Sequence, residues 1–150
     1  MRSWTPLFIF VILFSCSNDH NKFHSFNEDG WEYNNTLNFK NYISDTTNMY
    51  EMSLIIRHTV DYEFQNLFLF LGKDHKDTIE IILANKNGKW LGEGICDVRE
   101  VEYVFERERV FERKGNFEID VEQAMRYGAS EKIETLNHIL DVGLRICIQK

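Results

Sequence analysis

The sequence has few of the features that point to metal, redox or nucleic-acid chemistry. Its three cysteines and five histidines in 150 residues show no zinc or haem spacing. Only 17 Lys and Arg stand against 24 Asp and Glu, and this net charge of −7 would repel phosphate backbones. Phosphate-binding glycine loops, GxSxG, HExxH and CxxC motifs are absent. We therefore expect no metal, no cofactor and no nucleic-acid partner.

Long hydrophobic runs are also scarce, and the one that exists lies at the N-terminus. Residues 7–14 are eight consecutive apolar residues, far fewer than the roughly 20 that a transmembrane helix needs. Ser15 and Cys16 follow directly. This order is typical of a secretory signal and resembles the lipobox of bacterial lipoproteins, where cleavage before the cysteine leaves a thiol that carries diacylglycerol. We predict a lipoprotein signal peptide over residues 1–15 and lipidation of Cys16; a non-lipidated signal or an uncleaved anchor is the alternative.

The rest of the chain divides into a short polar stretch and one folded unit. Residues 16–29 are mostly polar and predict a tether, which ends at the turn signal Glu28-Asp29-Gly30. Residues 30–150 are long enough for a single core, so we expect one domain there. Cys96 and Cys147 lie in this domain, and the sequence leaves open whether they pair or remain thiols.

The hydrophobic pattern of the domain is that of β-strands. Residues 50–57, 78–84, 117–122 and 142–148 alternate between apolar and polar positions, and residues 66–71 are apolar on both faces, as in a central strand. Asn85-Lys86-Asn87-Gly88 is a hairpin turn signal. We predict a mainly β fold, an antiparallel β-sandwich of jelly-roll or immunoglobulin-like type, with one or two short helices. The helices are expected at residues 122–126 and at 133–140, the second capped by Ser130.

The segment over residues 101–114 is predicted as a strand with a charged face. Alternation would place Tyr103, Phe105, Arg107, Arg109 and Phe111 on one face and the glutamates on the other, where cross-strand ion pairs would suit them. Such a surface either docks a partner or is simply solvated. We take it, with Arg126, as the candidate partner surface.

No catalytic constellation is recognisable. Glu80, Glu118, Asp120 and Glu122 fall at solvent-facing positions of predicted strands, whereas glycoside hydrolysis needs two carboxylates that converge in a cleft. Trp31, Trp90 and Tyr33 could stack on a sugar if they were exposed together; we expect the tryptophans to be buried. Glycan binding and hydrolysis in the cell envelope therefore remain as rival hypotheses to protein binding.

An ordered set of short motifs resembles one known family. The motifs are NLFLF at 66–70, DTIE at 77–80, GKWLGEG at 88–94 with Asp97, EQAMR at 122–126 and DVGLRI at 141–146. In this order and spacing, together with the lipoprotein signal and Trp31, they resemble the gliding-motility lipoprotein GldH family of Bacteroidetes. The resemblance covers about residues 7–148.

The resemblance implies a membrane-anchored, non-enzymatic component of the gliding machinery, which is tied to type IX secretion. It implies other proteins of this machinery as partners and no small-molecule substrate. Arg126 and Arg145 lie beside apolar residues in these motifs, and we expect each to pair with an acid such as Asp97 or Asp141. Because surface-exported lipoproteins of these bacteria resemble one another in clustered acids after the lipidated cysteine, the single Asp19 favours the periplasmic face of the outer membrane.

Overall fold

The computed structural model describes residues 20–27, 30–128 and 131–149, and within these ranges it is built of strands and turns without a helix. None of the described residues forms a helix that could cross a bilayer. The signal peptide, Cys16, the Glu28-Asp29 turn and Ser130 lie outside the described residues. The strands are β1 His20–Ser25, β2 Trp31–Glu32, β3 Leu37–Ile43, β4 Tyr50–Thr59, β5 Asn66–Leu71, β6 Asp77–Ile82, β7 Val98–Arg109, β8 Gly115–Gln123, β9 Arg126–Tyr127, β10 Glu131–Lys132, β11 Thr135–Leu136 and β12 Ile139–Ile148.

Two four-stranded antiparallel sheets pack face to face. Sheet A has the order β1-β12-β4-β7, and sheet B has the order β3-β8-β5-β6. The short pairs β9–β10 and β2–β11 lie outside these sheets. Inward side chains of both sheets form one buried cluster that includes Leu54 and Leu144 of sheet A and Leu69 and Val121 of sheet B. This arrangement confirms the predicted antiparallel β-sandwich.

The alternating strands behave as their patterns predict. In β12, Val142, Leu144 and Ile146 are fully buried, because every second side chain points between the sheets. In β5 the leucines point inward and are buried, whereas Phe68 and Phe70 on the other face are half-buried. The strand most completely covered on both faces is β4 rather than β5, since Ser53 and Ile55 on its outer face are buried as well as Leu54 and Ile56 on its inner face.

The two predicted helices are wrong. Residues 122–126 run from the end of β8 into β9, and residues 133–140 contain β11 and the start of β12. Gln123 is buried, and its Nε2 donates a hydrogen bond to the Ile133 carbonyl at 2.7 Å, while the Ala124 N–H bonds to Phe68 of β5. His138 has φ of +67°, which no helix allows. Tertiary pairing thus overrides the helix propensity of this segment.

The first strand lies where the sequence predicts a tether. β1, inside residues 16–29, pairs with β12 from His20–Ile146 to Ser25–Asp141. The His24 Nε2 also lies 3.2 Å from the Asn38 carbonyl of β3 in the other sheet. Polar residues suit this strand because it is an edge strand with one face in solvent. The sandwich therefore begins ten residues earlier than residue 30.

The long strand β7 is confirmed, but its predicted faces are wrong in part. Its register with β4 shifts near Met52, which pairs with Glu106, while Ser53 pairs with Val104. This β-bulge interrupts the alternation. Tyr103, Phe105 and Phe111 pack against the core, whereas Arg107 reaches Glu51 on the outer face of sheet A.

The strand directions define two ends of the sandwich. At the β1 end, β1 begins beside Ile146 of β12. Two residues further along β12, Ile148 pairs with Tyr50 of β4, and Tyr50 also pairs with Arg109 of β7. At the opposite end, called the β9 end, β8 leads into β9 and residues 83–97 connect β6 to β7.

Replacement of Leu144 by alanine tests the assignment of β12 to the core. A buried Leu→Ala change costs about 2–5 kcal/mol, which for a domain of this size lowers the melting temperature on the order of 10 °C. Leu91→Ala is the matched control, because Leu91 is 38% exposed and Leu144 is fully buried. Equal melting temperatures of the two variants would contradict the assignment.

Candidate binding surfaces

The outer face of sheet A carries a ladder of ion pairs. Arg57 Nε lies 2.6 Å from Glu100 Oε2, and Arg107 Nη1 lies 2.6 Å from Glu51 Oε2. Arg145 Nη1 lies 3.3 Å from Glu102 Oε2. Each pair joins neighbouring or next-neighbouring strands, and such exposed pairs contribute roughly 0.2–1 kcal/mol each. These charged side chains therefore pair with one another within sheet A.

The expected ion pair of Arg145 is present, but its acid differs from the two examples named from the sequence. Arg145 pairs with Glu102, not with Asp97 or Asp141. Asp141 instead lies 3.8 Å from Arg57 Nη1, and hydrogen bonds and charge from Glu100 and Asp141 raise the pKa of the Arg57 guanidinium. Arg126 is exposed on β9.

An aromatic ring lies on this face over a glycine. A Cβ at Gly143 would collide with the ring of Phe23, so only glycine lets the β1 side chain cover β12 there. The Arg57 guanidinium lies 4.6 Å from the centre of the same ring, in cation–π geometry. Sequence analysis did not identify this contact, because Phe23 falls in the predicted tether.

The structure divides the candidate partner residues among three regions. Tyr103 and Phe105 are half-buried against the core. Arg107 and Arg109 lie near the β1 end, where the Arg109 guanidinium lies 5.4 Å from the centre of the Phe111 ring. Arg126 belongs to the β9 end. These five residues therefore do not form one contiguous surface.

Among the described residues, the two tryptophans and Tyr33 do not form a sugar-stacking platform. Trp31 is fully buried, its Nε1 donates to the Asn35 carbonyl at 2.8 Å, and Phe26 stacks on it at 5.3 Å. Trp90 is half-buried against the core. The Tyr33 ring faces the Lys132 ammonium at 4.1 Å. The joint exposure that glycan binding predicts is thus not found.

A buried histidine lies at the centre of an aromatic cluster near the β9 end. The His58 ring is fully buried, 4.7 Å from the Trp90 ring and 5.8 Å from the Tyr62 ring. Its Nδ1 lies 2.9 Å from the Thr59 carbonyl, and its buried Nε2 has no hydrogen-bond partner among the described residues. Burial, together with the charge of Arg99, lowers the pKa of His58, although the bond to Thr59 opposes this.

Residues 91–94 separate two open grooves at the β9 end. One groove of about 480 Å³ is lined by Ile95, Val98 and Gly94, with Arg57, Glu93 and Glu100 at its polar side. The other, of about 740 Å³, contains Phe64, Ile82 and Leu91. Gly92 makes this divider possible, because its φ is +77° and a Cβ there would strike the Glu100 carbonyl.

Exposed apolar side chains cluster around these grooves. Ile95 is 83% exposed, and Ile82, Leu91 and Tyr127 are each more than a third exposed; Tyr127 lies against Phe64 at 6.1 Å. We call Ile82, Leu91, Ile95 and Tyr127 the β9-end surface. Sequence analysis missed it, although an isoleucine between Gly94 and Cys96 in a loop was a signal for it.

The described residues contain no cluster of three or more His, Cys, Asp or Glu side chains that could hold a metal ion. Cys96 is exposed in the loop before β7, while Cys147 is half-buried on β12, with its Sγ 3.8 Å from the Glu51 carbonyl. They form no disulfide with each other.

Comparison with known proteins gives a consistent result. The profile described as GldH lipoprotein matches residues 19–146. The chain is 35% identical to the protein "Gliding motility lipoprotein GldH homolog" of Christiangramia forsetii, with 97% of each chain covered. It is 30% identical to "Gliding motility lipoprotein GldH" of Flavobacterium johnsoniae, with 91% of this chain and 89% of the relative covered. No solved structure matches the chain significantly.

The buried His58 predicts a pH-dependent stability. Its pKa is lowered in the folded state, so the unfolded chain binds the extra proton, and stability falls as the pH drops below 6.5, the ordinary value. His58→Phe should flatten the fall in unfolding free energy between about pH 7.5 and 5.5 relative to the parent protein. His75→Phe, in an exposed loop, is the control. Parallel pH profiles for His58→Phe and the parent protein would contradict the prediction.

Proposed function

Because the chain belongs to the GldH lipoprotein family, we propose that it is a lipid-anchored subunit of the gliding motility machinery. The observation that carries this proposal is the match over residues 19–146, which spans almost the whole sandwich. Both relatives are named as gliding motility lipoproteins. The proposal includes the type IX secretion apparatus, to which the family resemblance ties gliding.

The anchor is Cys16, which follows the apolar signal core and Ser15. Two or more acyl chains on one residue provide stable attachment, because each buried methylene contributes about 0.8 kcal/mol and a single chain binds only weakly. We propose the outer membrane as its site and the periplasmic face as its side, since Asp19 stands alone after the anchor.

The role that fits the sandwich best is that of a non-catalytic binding subunit. The outer ion pairs of sheet A are satisfied within the sheet, whereas Ile95 and Leu91 are exposed beside two open grooves. Exposed apolar groups with a polar rim are typical of protein interfaces. The β9-end surface is therefore our principal candidate for a protein partner, with the edge strand β7 as the second.

Lipidation is tested by metabolic labelling with a fatty-acid probe. The parent protein should incorporate the probe and fractionate with outer membranes, and Cys16→Ser should do neither, because the acceptor thiol is lost. Cys96→Ser is the matched control and should label normally, since Cys96 lies in the folded domain.

Equal labelling of the parent protein and Cys16→Ser would refute the anchor. In the same strains, protease added to intact cells should leave the domain uncut, as expected for the periplasmic face. Removal of the domain by the protease would refute the sidedness while leaving the anchor in place.

The function is tested by deletion of the gene in a gliding host. Colonies of the deletion strain should fail to spread, and secretion through the type IX system should fall. Complementation with Ile95→Asp should restore spreading poorly, because a charge would enter the interface, whereas His75→Asp in the exposed loop between β5 and β6 should restore it well. Normal spreading and secretion of the deletion strain would overturn the proposal.

A further inference from the structure

The β1 end of the sandwich is held close to the anchor. This inference rests on the proposed lipidation of Cys16. Only residues 17–19 separate Cys16 from β1, which begins at His20. An extended chain advances at most about 3.6 Å per residue, so the Cys16 and His20 Cα atoms lie within about 14 Å of each other. The lipid and the β1 end must therefore be neighbours.

Strand pairing determines which residues share this end. β1 starts beside Ile146, two residues before the end of β12, and Ile148 pairs with Tyr50. Lys22 and His24 bond to the carbonyls of Lys40 and Asn38, respectively, so β3 runs antiparallel to β1 and ends at the same place. The segments at this end are the end of β3, residues 44–49, residues 110–114 and the start of β8.

Three exposed apolar side chains lie on these segments. Tyr42 is 60% exposed, Met49 is 52% exposed and Val110 is 54% exposed. Tyr42 pairs with Asn116 of β8, and the Met49 carbonyl accepts a hydrogen bond from the Gln149 N–H at 2.9 Å. These side chains stand on three different segments at one end of the sandwich.

Basic side chains border the same end. Arg113 and Lys114 line a cleft of about 330 Å³ with Phe111 and Phe117. Asp45 also lies there; hydrogen bonds from Thr47 and Asn48 lower its pKa and keep its carboxylate negatively charged. Exposed Glu108 and Glu112 oppose the basic groups, so apolar contact rather than net charge is the main attraction.

We propose that the β1 end lies on the lipid headgroup layer, with Tyr42, Met49 and Val110 at the interface. Tyrosine suits this position because its ring is apolar and its hydroxyl is hydrated. The anchor makes this contact intramolecular, so a weak interaction suffices. Since β12 has ten residues of about 3.3 Å each, the β9-end surface then stands roughly 30 Å above the membrane, available to a protein.

Fluorescent labels on the full lipidated protein in phosphatidylcholine–phosphatidylethanolamine vesicles test this orientation. One probe uses Val110→Cys in a Cys96→Ala, Cys147→Ala background, and the matched probe uses native Cys96 in a Cys147→Ala background. Cys96 is exposed near the β9 end. Spin-labelled lipids should quench the label at position 110 several-fold more than the label at Cys96, and aqueous iodide should show the reverse order.

Flotation of the labelled proteins with the vesicles is measured first, together with their melting curves. A folded protein that fails to float refutes the anchor itself. A floating protein whose two labels are equally open to iodide refutes the orientation alone. A label at position 110 that is shielded from iodide but not quenched by lipid would mean that a second copy covers this end, which also overturns the proposal.

Adding Tyr42→Ser and Met49→Ser to the protein labelled at position 110 gives a second test of the membrane contact. Loss of these two apolar contacts should raise the iodide accessibility of the label without reducing flotation. The matched control is the protein labelled at position 110 that carries Leu91→Ser and Ile82→Ser at the β9 end. These two substitutions should leave both quenching signals unchanged. Unaltered quenching in the Tyr42→Ser, Met49→Ser protein would refute the apolar contact.

Discussion

The architecture depends on the antiparallel ladder between β4 and β12. These two ten-residue strands join through nine residue pairs and form the centre of sheet A. Their inner face supplies Leu54, Ile56, Leu144 and Ile146, all fully buried. β1 pairs with one side of this ladder and β7 with the other, so the core itself positions the first strand of the described residues.

The distribution of polar groups over the sandwich separates stability from binding. On sheet A, Arg57, Arg107 and Arg145 pair with acids of the same sheet, which leaves this face occupied by its own contacts. Apolar side chains are exposed mainly at the two ends, where strands stop and loops begin. With the lipid anchor that we propose at one end, the other end is left open to a protein partner.

Local pattern predicted six of the eight strands in the two sheets and missed β1 and β3, so it failed where distant residues decide. Leu144 and Ile81 were assignable because alternation alone states which side is buried. Gln123 was not, because its helix-favouring neighbours pair instead with β5 and residue 133, which are far away in sequence. β1 was missed for the related reason that an edge strand needs little hydrophobicity once β12 offers it a partner. The bulge at Phe105 likewise depends on the register with β4.

The sequence by itself determined the signal peptide pattern, the family and the β-sandwich class, because short-range order and two-residue periodicity carry that information. Only the tertiary structure decided which charges pair, that β1 joins sheet A, and that Ile95 and Tyr42 are exposed at opposite ends. Exposure and pairing depend on which strands become neighbours. That choice is made by burying the apolar faces of two whole sheets together, and no single segment of sequence encodes it.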